Sequence, residues 1–72
     1  MFEIEKFAVR LRTLRKENCE SQQMIAQLLG TSTTQISDME RGKTTTSFER
    51  LVLLCEHFGV SADYLLGLTD KR

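Results

Sequence analysis

Four serines, Ser21, Ser32, Ser47 and Ser61, each stand at the head of a run whose apolar residues recur every three or four positions. A hydroxyl in that place accepts a hydrogen bond from an otherwise unpaired N–H of the first helical turn, so the pattern marks helix starts. The runs close near Gly30, Gly42, Gly59 and Gly67, and the chain has no proline to break them. The spacing predicts helices over about 22–29 (Ile25, Ala26 and Leu29 inward), 33–40 (Ile36, Met39), 48–58 (Phe48, Leu51, Leu54, Cys55, Phe58) and 62–66 (Tyr64, Leu65). A fifth, at the N-terminus, covers about 3–17 with Ile4, Phe7, Ala8, Leu11 and Leu14 on one face, and Asn18 is expected to close it in the left-handed conformation. No segment alternates apolar and polar residues over a useful length. The expectation is an all-α, five-helix fold.

At 72 residues the chain has room for a single domain, 1–72, with an economical core. No apolar stretch reaches the roughly 18 residues of a membrane span. Met1 to Lys6 mixes both charge signs, unlike a signal peptide, so a cytoplasmic location is expected. The two cysteines, Cys19 and Cys55, form no CxxC or Cys/His spacing, so no metal or redox chemistry is assigned to them, and no cofactor or small-molecule ligand is expected. Ten basic and ten acidic residues leave a formal net charge of zero, which counts against a nucleic-acid partner. Placement matters as much as total, however. Arg10, Arg12, Arg15, Lys16, Arg41 and Lys43 all fall in the first 43 residues, whereas Glu49, Glu56, Asp63 and Asp70 come later.

The segment from Ser21 to Gly42 carries the functional signal. Two helices that cross closely need a small residue at the crossing (Ala26), a turn residue that accepts positive φ (Gly30) and an apolar wedge from the second helix (Ile36). Spacings of four and then six supply these, which defines a helix-turn-helix. The second helix then projects as a ridge suited to a major groove about 12 Å wide. Beyond this motif, Leu11-Arg12-Thr13-Leu14-Arg15, Ser21-Gln22, Ile25-Ala26, Leu29-Gly30, Ile36-Ser37, Glu40-Arg41-Gly42-Lys43 and Phe58 to Gly67 agree in order and spacing with one family. Over about residues 7–69 the chain resembles the phage-repressor (lambda repressor and Cro-like, XRE-type) helix-turn-helix family.

That resemblance implies a lambda-repressor-like domain with the helix over 33–40 in the major groove of double-stranded DNA. It makes Thr33, Thr34, Gln35, Ser37 and Asp38 candidate base readers. Threonine offers a hydroxyl and a methyl, and glutamine can pair with adenine. Asp38 reads either as an acceptor for cytosine that repels nearby phosphate or as a solvated surface carboxylate. Gln22, Arg41, Lys43, Thr44 and Thr45 are the implied phosphate contacts, and Arg15 and Glu40 match positions that pair in relatives to form a structural bridge. Four residues depart from the family pattern: Cys19 where glycine is common, Glu20 where an apolar residue staples the next helix, Thr31 for a valine-like residue, and Thr46 for a proline. The expected function is sequence-specific DNA binding by a transcriptional repressor. It would act as a homodimer on twofold-related half-sites, through an apolar C-terminal cluster of Tyr64, Leu65, Leu66 and Leu68. Two other readings compete: an interaction module that kept the fold without DNA, which the neutral charge favours, and an enzyme. The lone His57, with no nucleophile usably placed, gives an enzyme little support.

Overall fold

The computed structural model describes all of residues 1–72. Five helices follow one another: α1 (Ile4–Glu17), α2 (Gln22–Leu29), α3 (Thr33–Glu40), α4 (Phe48–Phe58) and α5 (Ala62–Leu65). All four serines cap as their positions require. Ser21, Ser32, Ser47 and Ser61 Oγ accept from the backbone N–H of Met24, Gln35, Arg50 and Tyr64 at 3.0–3.3 Å. Each such cap is worth about 1 kcal/mol. Together they fix where four of the five helices begin.

The core gathers one face of every helix. Phe7 and Leu11 of α1, Ile25 of α2, Ile36 of α3, Leu54 of α4 and Leu65 of α5 are all fully enclosed, with Leu14, Ala26, Leu29, Met39, Val60 and Tyr64 around them. The helix-turn-helix is the tightest joint in this arrangement. Gly30 closes α2 at φ 67°, and Thr31 N–H returns to the Ala26 carbonyl at 2.9 Å, which swings the chain directly into Ser32 and α3.

Several expectations need correction. Helix α1 starts at Ile4, and α5 stops at Leu65 with Leu66 as its closing residue. Asn18 is not left-handed (φ −85°); the left-handed residue is Cys19, at φ 55°. Chain reversal thus falls on a residue with a β-carbon, which is strained there by about 1–2 kcal/mol. Phe48 fits the apolar period of α4 yet is 87% exposed, because as the first helical residue it projects past the end of the core. Tyr64 and Leu65 were expected at a dimer surface. They lie in the core instead, since the short α5 packs against α1 and α4 and needs both side chains to do so.

The C-terminal segment wraps back along α1. Arg10 donates to the carbonyls of Tyr64 and Thr69 and, at 2.8 Å, to the Asp70 carboxylate. Its guanidinium stacks 4.2 Å from the Tyr64 ring centroid. Gly67 passes so near α1 that a β-carbon would lie 2.6 Å from Lys6 Cβ, and its φ of 79° independently favours glycine. Arg72 completes the wrap with two hydrogen bonds to Glu17 at 2.9 and 2.8 Å. No helix is long and apolar enough to cross a membrane.

Candidate nucleic-acid interface

Helix α3 buries Ile36 and Met39, ends on an inward-turned Glu40, and presents its other side chains on the opposite face. Thr33, Thr34 and Gln35 are exposed along its first turn, and Ser37 and Asp38 are half-buried beside them. Thr33, Thr34 and Asp38 make no side-chain hydrogen bond within the fold. No other part of the chain covers this ridge.

At the far end of α3 the structure joins Arg15 and Glu40 in a two-pronged bridge, Nε to Oε2 at 2.6 Å and Nη2 to Oε1 at 3.0 Å. A third donor, Nη1, reaches the Glu20 carbonyl at 2.8 Å. The hydrogen bond to Glu40 raises the Arg15 pKa further above its ordinary range, outweighing the burial that would lower it. Only 12% and 4% of the two side chains remain exposed, so removing either partner strands a largely buried charge. Gln22 donates to the same Glu40 carboxylate at 3.1 Å, which ties the start of α2 to the end of α3. One of its amide hydrogens is therefore engaged inside the protein, leaving the other for an external acceptor.

These residues floor a polar cleft of about 370 Å³, lined by Arg12, Arg15, Gln22, Ser37, Glu40 and Arg41. No carboxylate lies within 4 Å of Arg12 or Arg41, and neither does one pair with Lys43 or Arg50. Lys43 follows α3, its backbone N–H held by the Asp38 carbonyl at 2.9 Å. Arg50, on the first turn of α4, reaches Gln35 at 3.3 Å. The unpaired acids nearby are Asp38 and Glu49. Arg12 and Arg50 were not singled out as site residues from sequence. Arg12 sits on an ordinary solvated helix face, and Arg50 becomes a neighbour of α3 only through the tertiary fold. Thr44 and Thr45 are both exposed after α3, and Thr45 also borders an apolar groove with Phe2, Phe48, Leu51, Leu66 and Leu68.

Glu20, which departs from the family pattern, and the lone His57 form a second link. His57 Nε2 lies 2.7 Å from Glu20 Oε2, joining α4 to the turn between α1 and α2. Glu20 thus fastens this corner through a hydrogen bond to the imidazole. Cys55 is half-buried, and burial pushes its thiol pKa up, away from the reactive thiolate.

A tight Gly30 turn, a small residue at the helix crossing, a bare second helix and a bridge from α1 to its end together define a helix-turn-helix domain of the lambda-repressor type. The chain belongs to the helix-turn-helix family, which its residues 11–65 match. It is 33% identical over 64 residues to the uncharacterized HTH-type transcriptional regulator YobD of Bacillus subtilis strain 168, covering 89% of this chain and 57% of the relative. The chain thus spans little more than half the length of that curated protein. Among solved structures it is similar to a transcriptional regulator from Listeria innocua (TM-score 0.84, 32% identity, 92% of this chain and 62% of that one). It is also similar to the P22 c2 repressor in complex with synthetic operator 9T (TM-score 0.78, 33% identity, 83% and 91%).

Proposed function

We propose that this protein is a transcriptional repressor that binds double-stranded DNA sequence-specifically, with α3 in the major groove. One observation carries the reading. In a chain of zero net charge, Arg12, Arg41, Lys43 and Arg50 are left without carboxylate partners around the uncovered ridge of α3. Thr33, Thr34, Gln35, Ser37 and Asp38 face base edges. Gln22, Arg12, Arg41, Lys43, Thr44 and Thr45 hold the flanking phosphates, which fixes register without reading sequence. The similarity to the P22 c2 repressor, solved in complex with a synthetic operator, supports DNA as the partner here. The reading includes no catalysis, for the Cys55 thiol is held protonated by burial and His57 is engaged by Glu20.

One recognition helix contacts too few base pairs for useful specificity, so the functional unit is a homodimer on twofold-related half-sites. With Tyr64 and Leu65 enclosed, Leu66 and the exposed Leu68 are what remains of the C-terminal contact surface. Sedimentation of Leu68→Asp beside the parent tests that element; an unchanged mass at micromolar concentration removes it. The central test is fluorescence anisotropy on labelled duplexes at two salt concentrations. Binding weakens as salt rises, because contact with phosphates releases condensed counterions. A folded protein that ignores duplex DNA even at low salt would instead be an interaction module built on the same scaffold.

A further inference from the structure

Gln35 is the only candidate base reader whose side chain is already engaged within the protein. Its amide oxygen accepts two hydrogen bonds, one from the Thr31 hydroxyl in the helix-turn-helix turn and one from Arg50 Nη1, at 3.3 Å, on the first turn of α4. A guanidinium can only donate, so the atom turned toward Arg50 is the amide oxygen and not the nitrogen. That oxygen has two lone pairs, and Thr31 and Arg50 take both. The amide nitrogen keeps its two hydrogens, with no acceptor inside the fold, on an exposed side chain of α3.

Glutamine reads adenine by accepting from N6 while donating to N7, and here the accepting half is occupied. Guanine offers two acceptors in the major groove, N7 and O6, and thymine offers one, O4. The geometry points to Thr31 and Arg50 as specificity-determining residues: by occupying the Gln35 oxygen they make Gln35 a donor-only reader, turned from adenine to an acceptor-only base edge, guanine foremost. Neither residue has to touch a base to do so. The inference rests on the DNA-binding reading above, and it replaces the glutamine–adenine pairing expected from residue type alone.

Selection of bound duplexes from a random pool tests it, run in parallel on the parent, Gln35→Ala, Thr31→Val, Arg50→Met, Arg50→Lys and the Thr31→Val/Arg50→Met pair. Each variant is first checked for a cooperative thermal transition. The expected result is one operator position where the parent prefers guanine or thymine over adenine by about tenfold. Gln35→Ala loses that preference. The double variant moves it toward adenine and leaves the other positions unchanged, whereas Arg50→Lys, which keeps a donor, retains it. Should Thr31→Val fail to fold, Arg50→Met alone carries the comparison. A parent that prefers adenine at the Gln35-dependent position overturns the inference, and so does a double variant with unaltered preference. A folded parent that selects no sequence at all defeats the DNA reading instead, which is a separate result.

Discussion

Around α3, Arg12, Arg41, Lys43 and Arg50 have no acid to pair with, whereas on the side of α1 where the C-terminal segment wraps, Lys6, Arg10 and Arg72 are each tied to one. Two of these, Arg10 and Arg72, hold down the C-terminal segment, in which Lys71 is left unpaired. Arg10 gathers two backbone carbonyls, a carboxylate and an aromatic face, and Arg72 clasps Glu17. At the front, Arg12, Arg41 and Lys43 are left for something outside the protein, while Arg50 is turned to Gln35. Net charge counts both populations alike and hides the difference between them. What distinguishes the faces is which charges are already neutralised by internal partners.

The comparison breaks first at Arg15, the front cation that behaves like a rear one. Arg15→Ala should cost about 3 kcal/mol in urea unfolding, because Glu40 is left largely buried without its partner. A loss below about 1 kcal/mol would place Arg15 with the free cations. Arg10→Ala should cost about 2 kcal/mol, from charge-assisted bonds to two carbonyls, while its DNA salt dependence matches the parent. Arg41→Ala should do the reverse. Its unfolding midpoint stays where it was, and the slope of log affinity against log salt becomes shallower by about 0.9, the value for one phosphate contact. If the slope is unchanged, Arg41 is an ordinary surface residue.

The smallest effect sharpens the rear side. Arg72 hydrogen-bonds Glu17 and holds its carboxyl below the ordinary range, an effect that slight desolvation opposes. A lowered folded-state pKa contributes stability above the unfolded value, and that contribution is lost as pH falls through the folded one. The melting-temperature gap between the parent and Glu17→Gln should therefore be small near neutrality and close below about pH 4. A gap that persists at pH 2 would mean the pair acts through packing and not through charge.

What the sequence made legible was local. A serine three residues before the N–H it caps, a glycine that ends a run, and Ala26, Gly30 and Ile36 at fixed spacing are all decided within one or two helical turns. The helix set and the identity of the ridge followed from them. Phe48 misled because a helical period says which face a residue shares and not whether the core extends that far. Tyr64 and Leu65 misled for the opposite reason: a four-residue helix looked too short to bury them, but α1 and α4 supply the cover. Arg12, Arg50 and the engaged oxygen of Gln35 were invisible for a third reason. Each owes its character to a partner, or the lack of one, that is distant along the chain.

The Glu20–His57 bridge and the Arg15–Glu40 bridge fasten the motif at two different corners, one where α2 is entered and one where α3 is left. A plate bolted at two corners cannot swivel against its frame. With α3 reading DNA as proposed, it has no private freedom to adjust its pitch, so any mismatch would be absorbed by tilting the whole domain or by bending the duplex. Operators whose base steps bend easily would then be favoured even at positions no side chain reaches.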